Sequence, residues 1–169
     1  GKTDTFLSST AGLVEDVAEN VFAAIADTSG VNVDTFTADA TAPTLDRFTL
    51  DMVTGTVVLT FSESMGSTVD PTGLTFLNAA SSATQSHTLT GGTSTFPSST
   101  VVQIVLSISD ANVLRAQNQL ALLTTNTFLA VDGKTASDVA GNNVAARTSG
   151  VNALAAATVT PDNTPPTLT

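Results

Sequence analysis

The sequence predicts an all-β fold: a β-sandwich of about seven or eight short strands with one short inserted helix, in tandem repeats of about 120 residues. Three observations carry this. Thr and Ser supply 47 of the 169 residues, and helix-favouring Lys, Glu and Arg are scarce. Thr and Val fit a pleated, half-buried surface. Short apolar alternations are punctuated by Gly, Pro, Asn and Asp, the pattern of strands joined by turns. The chain also repeats itself. Thr5-Phe6-Leu7 returns as Thr127-Phe128-Leu129, and Asp16-Val17-Ala18-Glu19-Asn20 as Asp138-Val139-Ala140-Gly141-Asn142. Ser29-Gly30-Val31-Asn32 returns as Ser149-Gly150-Val151-Asn152, and Thr41-Ala42-Pro43-Thr44-Leu45 as Thr164-Pro165-Pro166-Thr167-Leu168. The offsets, 120 to 123 residues, keep their order, as in an array.

The repeat divides the chain into three parts. Residues 1–38 match the C-terminal part of a preceding repeat, 39–160 form one complete repeat, and 161–169 are a linker and the start of the next. Two accounts of this phase are open: a continuous polypeptide, or strand donation between chains. The continuous array is favoured, because a tail of five or six residues replaces too little of a sheet. A unit of this size can bury its own core. The prolines at the junctions, Pro43, Pro161, Pro165 and Pro166, favour extended geometry and a preferred angle between successive units.

The elements follow in order. Phe48, Leu50 and Met52 alternate with Thr49 and Asp51, a strand period. Thr54-Gly55 turns the chain, and Val57, Leu59 and Phe61 complete a hairpin. Leu74–Leu77 is a third strand. Thr88-Leu89-Thr90 is a short one ending in a Gly91-Gly92 turn. Val101–Leu106 is nearly continuously apolar and reads as a central strand. Ser109 or Asp110 caps a helix running through Leu120, with Val113, Leu114 and Leu120 facing the core. Thr125–Val131 is a strand closed by Asp132-Gly133. The Asp138–Asn142 loop follows, and Val144–Ala146 and Ala155–Thr160 are the last strands.

Three segments carry a family resemblance: Ala42-Pro43-Thr44 entering a strand, Leu59-Thr60-Phe61-Ser62-Glu63-Ser64-Met65, and Ala136-Ser137-Asp138-Val139-Ala140-Gly141-Asn142. Together they resemble the bacterial Ig-like domains of the S-layer-protein type. The resemblance implies an Ig-like β-sandwich, one of many tandem modules in a giant extracellular or cell-surface protein. Three features depart from it. The stretch from Ser107 to Leu123 is long for such a module. Trp, Tyr and Cys are absent, so the antibody-type core and tyrosine corner are missing. Glu19 stands where the later copy has Gly141, which argues against a glycine-only angle there.

Charge and composition limit function. Fifteen acidic residues against five basic give a net charge of −10. Nucleic acid and anionic membrane surfaces are disfavoured as partners, because both need Lys and Arg. No apolar run reaches the length of a membrane span, so no membrane insertion is expected. Without cysteine there is no disulfide, thiolate metal site or Cys nucleophile.

No catalytic constellation is legible, and the chain reads as a non-enzyme. His87, the only histidine, sits in a Ser/Thr-rich segment and reads as a solvent-exposed bystander. Glu63 reads as a surface residue at a strand end. A glycosidase would pair it with a second carboxylate, which the sequence does not identify. Ca²⁺ is the most credible cofactor, since it takes six to eight oxygen ligands from Asp, Asn, carbonyls and water. Its candidate ligands are Asp39, Asp46 and Asp162 at the junctions, and Asp138 and Asn142 in the repeated loop. The competing reading makes Asp138 and Asn142 an Asx turn bonded to its own backbone.

The function expected is structural: a repeat module that extends, stiffens or assembles a filament, fibre, surface layer or adhesin stalk. Its partners are then neighbouring repeats of the same protein. Each repeat is expected to advance the array by roughly 35–45 Å. One alternative is a module that binds glycan or another surface ligand. A further alternative is a spacer attached to an enzyme elsewhere in the chain. Clustered exposed aromatics would favour the glycan binder, but the eight Phe mostly fall at core-facing strand positions.

Overall fold

A computed structural model describes residues 1–164. The chain separates into two compact units, Gly1–Asp39 and the remainder from Ala40. The Thr164–Leu168 copy of the junction motif falls, beyond Thr164 itself, outside the described residues.

In the second unit two sheets pack face to face. The first contains β3 (Leu45–Asp51), β4 (Thr56–Phe61), β8 (Gly92–Ser98), β9 (Val101–Leu106) and β13 (Thr158–Thr160), in the order β13-β3-β4-β9-β8. All its neighbours are antiparallel except β13, which runs parallel to β3 with Thr158 opposite Thr49 and Thr160 opposite Asp51. The second sheet contains β6 (Leu74–Leu77), β7 (Ser86–Thr88), β10 (Phe128–Val131) and β12 (Leu154–Ala155), in the order β12-β10-β6-β7. A separate pair joins β5 (Met65–Val69) to β11 (Ala136–Asp138).

Alternation builds the core. Phe48, Leu50, Val57, Leu59, Phe61, Val102, Ile104 and Leu106 point inward from the first sheet, and Leu74, Phe76, Leu129 and Val131 from the second. Phe48 meets Phe76 edge-on across the layers, with ring centroids 6.2 Å apart, a favoured aromatic geometry. The helix α1 (Ile108–Ala116) closes the core with Ala111 and Leu114, and Leu120 follows it inward.

The strands expected from alternation are present, but the second unit has eleven short strands among its described residues, where seven or eight were expected. β5, β8 and β11 are not among the expected strands, because Ser, Thr and Gly dilute their alternation. The helix starts earlier than expected. Ser107 is its cap, with its Oγ accepting from the Asp110 N–H at 3.0 Å. The helix stops at Ala116, and Val113 faces solvent. Residues 144–146 form no strand and are held by single bridges on either side. The expected 155–160 strand is split, because the chain leaves β12 in one sheet and joins β3 in the other.

The first unit holds β1 (Phe6–Leu7) and β2 (Val31–Asn32), paired antiparallel. Its internal bonding recurs in the second unit at an offset of 122. Thr5 Oγ1 donates to the Gly1 carbonyl, and Thr127 Oγ1 to the Leu123 carbonyl, each at 2.8 Å. The Ser9–Ile25 and Glu15–Val21 bridges correspond to Val131–Arg147 and Ser137–Asn143. The Phe22 amide bonds the Val14 carbonyl as the Val144 amide bonds that of Ala136. Beyond these the offset becomes 123, with Leu7 opposite Val31 and Leu129 opposite Leu154. The Ser-Gly-Val-Asn match is therefore not a structural equivalence. Val31-Asn32 is strand, whereas Val151-Asn152 lies in a turn.

Candidate functional site

The repeated acidic loop is the most organised polar feature at the end of a strand. At Asp138, Oδ1 accepts from the Asn142 backbone N–H and Oδ2 from the Asn142 side-chain amide, both at 2.8 Å. At Asp16, Oδ1 accepts from the Ala18 and Asn20 amides, and Oδ2 from the Asn20 side chain at 2.9 Å. The fourth residue, Gly141 or Glu19, has a left-handed φ of 93° or 65°. Glu19 therefore adopts an angle that disfavours a side chain but is not confined to glycine.

Asp138 is buried, and Asp16 is exposed. Burial works to raise the Asp138 pKa. The Asn142 side chain, the Asn142 amide and those of Gly141 and Ala140 outweigh it and hold the carboxyl below its ordinary range. For Asp16 the Asn20 side chain and the Asn20 and Ala18 amides give the same direction. The Asx-turn geometry is thus present in both loops.

Among the candidate calcium ligands, Asp138 and Asn142 share one loop, and Asp46 and Asp162 are held by other partners. Asp46 accepts from Thr44 Oγ1 at 2.7 Å. Asp162 pairs with Arg115 Nε at 3.0 Å and also accepts from the Thr164 amide. The amide and hydroxyl of Thr164, together with Arg115, lower its pKa. Asp39 is the exposed last residue of the first unit. Within the second unit, a further carboxylate, that of Glu63, is brought near Asp138. A carboxylate oxygen of each lies within 4.8 Å of the other. Glu63 sits in the Phe-Ser-Glu-Ser-Met segment just before β5, the strand that pairs with β11. That pairing brings the two resemblance motifs together.

His87 is not the exposed bystander expected. Its Nε2 donates to Asp110 Oδ1 at 2.8 Å, and its side chain is mostly buried. Asp110 is completely buried and also accepts from the Thr90 amide, Thr90 Oγ1 and Ser107 Oγ. Burial pushes its pKa up, but these donors together bring it below the ordinary value. Sequence reading missed this cluster because its members come from β7, the following loop and the helix start. The Ser-x-x-Asp spacing at Ser107 and Asp110 was the available signal. Chemically, the carboxylate stands between His87 and Ser107. The serine donates to Asp110, so the pairing of nucleophile with base that acyl transfer needs is not formed.

No protein-family model, curated protein or solved structure matches this chain.

The function therefore rests on the residues themselves. An open cleft of about 490 Å³ is lined by Thr72, Thr75, Thr88, Asp132, Arg147 and Thr148 among others, and no aromatic ring lines it. The eight Phe were expected mostly at core-facing positions, and three of them, Phe6, Phe22 and Phe36, are exposed in the first unit. Among the described residues, no helix is long and apolar enough to cross a membrane.

Proposed function

We propose that the chain is a structural repeat module, Ig-like in fold, of a long extracellular or cell-surface protein. Its repeats assemble into a filament, fibre, surface layer or adhesin stalk, with neighbouring repeats of the same protein as partners. The observation that carries this reading is the set of hydrogen bonds and bridges recurring 122 residues apart. Two segments that share turns, caps and strand register are best explained as copies of one folding unit. The role is non-catalytic. The buried Asp110 cluster joins a strand edge to a helix, which is work for a scaffold. No aromatic ring lines the open cleft, whereas the exposed Phe6, Phe22 and Phe36 are the feature that favours the alternative, a surface-ligand-binding module.

Electron microscopy of native material containing the chain tests the proposal. An ordered filament or layer with an axial spacing near one repeat is expected. Isolated globular particles with no axial repeat would defeat it. Within this reading, Ca²⁺ is proposed to stiffen the end of the module where Glu63 approaches Asp138. Chelation should then lower the melting temperature, and an unchanged melting temperature removes calcium from the account.

A further inference from the structure

The first unit exposes apolar side chains where the second buries their counterparts. Leu7 is 64% exposed and Leu129 0%; Val14 is 61% exposed and Ala136 5%; Phe22 is 37% exposed and Val144 2%. The hydrogen bonds that define these counterparts lie inside each unit, so the local chain path is the same and only the covering differs. An apolar face of this kind on a soluble domain marks an interaction surface.

The strand edges show a second, independent difference. β10 pairs with β12 on one side and with β6 on the other, placing Leu129 opposite Phe76. Among the described residues, β1 pairs with β2 alone, in a two-stranded sheet. β11 pairs with β5, placing Ala136 opposite Val69 and Asp138 opposite Met65. Among the described residues, the matching Val14–Asp16 segment belongs to no strand and has only the Glu15–Val21 bridge beside it. Open edges are templates for strand addition.

We infer that residues 1–39 are completed by a two-sheet body of the kind formed by residues 43–122, carried in the same polypeptide. Its Leu74–Leu77 equivalent adds to Phe6–Leu7, and its Met65–Val69 equivalent adds beside Val14–Asp16. The inference rests on the repeat reading above and names the partner that reading requires. The short 3₁₀ turn Lys2–Asp4 stands where Thr124–Asn126 stands in the second unit, so Gly1 occupies the place of Leu123. A body ending at the equivalent of Leu122 meets this turn as Leu122 meets Leu123 in the second unit. A second copy of this chain is a poor donor. Its own body is already covered by Leu129, Val131, Ala136 and Val144, which are held to it at intramolecular concentration.

The test lengthens the full chain by a second copy of residues 43–122 joined to Gly1, and follows amide hydrogen exchange. Exchange at residues 6–7 and 14–16 is expected to slow by roughly a hundredfold or more, towards that of residues 128–129 and 136–138. Leu7→Asp should abolish the slowing in the longer chain and leave exchange in the 169-residue chain unchanged. Equal exchange with and without the added body overturns the inference, and so does slowing that survives Leu7→Asp. Failure of the added body to fold overturns it as well, because the same residues fold when followed by residues 123–162. A one-repeat axial spacing in micrographs combined with unchanged exchange would defeat this pairing alone and leave the array standing.

Discussion

At the scale of single residues, Asp110 shows how a polar group is kept inside an apolar sandwich. Its two oxygens receive hydrogen bonds from His87, Thr90 and Ser107, so its charge is buried with donors around it. Asp110→Ala leaves those donors without their acceptor and should cost about 3 kcal/mol in urea denaturation. The folded pKa lies below the ordinary 3.8. The stabilisation from the carboxylate is therefore complete above about pH 3.8 and is lost as pH falls through the depressed value. Asp110→Asn should flatten this acid limb when melting temperature is measured against pH. Glu19 is the opposite case, a residue at odds with its backbone. With φ at 65°, Glu19→Gly should stabilise its loop by about 1 kcal/mol, read as slower exchange of the Asn20 amide. Neither residue was legible from sequence. Asp110 is partnered by groups distant in the chain, and a left-handed Glu looks like any other acidic loop residue. The Asp138–Asn142 turn was legible, because both partners lie within five residues and the pattern occurs twice.

At the scale of elements, strands with strict alternation were read correctly. Phe48-Thr49-Leu50 and Val57-Val58-Leu59 each place alternate residues in the core. β8 was not read, because in Gly92–Ser98 only Phe96 packs against the core and Pro97 interrupts the run. Pro suits an edge strand, and β8 lies at the edge of its sheet. The helix was found but misplaced by its cap. Ser109 and Asp110 offered equally suitable side chains, and the choice of Ser107 depends on Asp110 turning inward at the third helical position. Ser107→Ala removes both the cap and a donor to Asp110. It should cost about 1–2 kcal/mol, measured by chemical denaturation. Ser109→Ala should change little, since Ser109 is exposed and lies inside the helix.

At the scale of the whole molecule, composition and turn spacing led to a β-rich fold, while the layer order lay beyond sequence. Strand order depends on which edges meet, and the chain crosses between sheets several times. The late crossing of β13 is the most telling. It lies parallel to β3, and the Ala157 amide bonds the Phe48 carbonyl while the Met52 amide bonds that of Thr160. The chain thus enters this sheet at Leu45 and leaves it at Thr160, at the opposite end of the same strand pair. Tension applied through these two points draws β13 and β3 past each other lengthwise. The bonds between them are loaded together, instead of opening one at a time as in a peeled hairpin. Single-molecule stretching through residues 45 and 160 should show one distinct rupture peak. Ala157→Pro, which deletes one of these donors, should lower it. The placement of three residues at the end of the fold would then set how hard the module can be pulled before it yields.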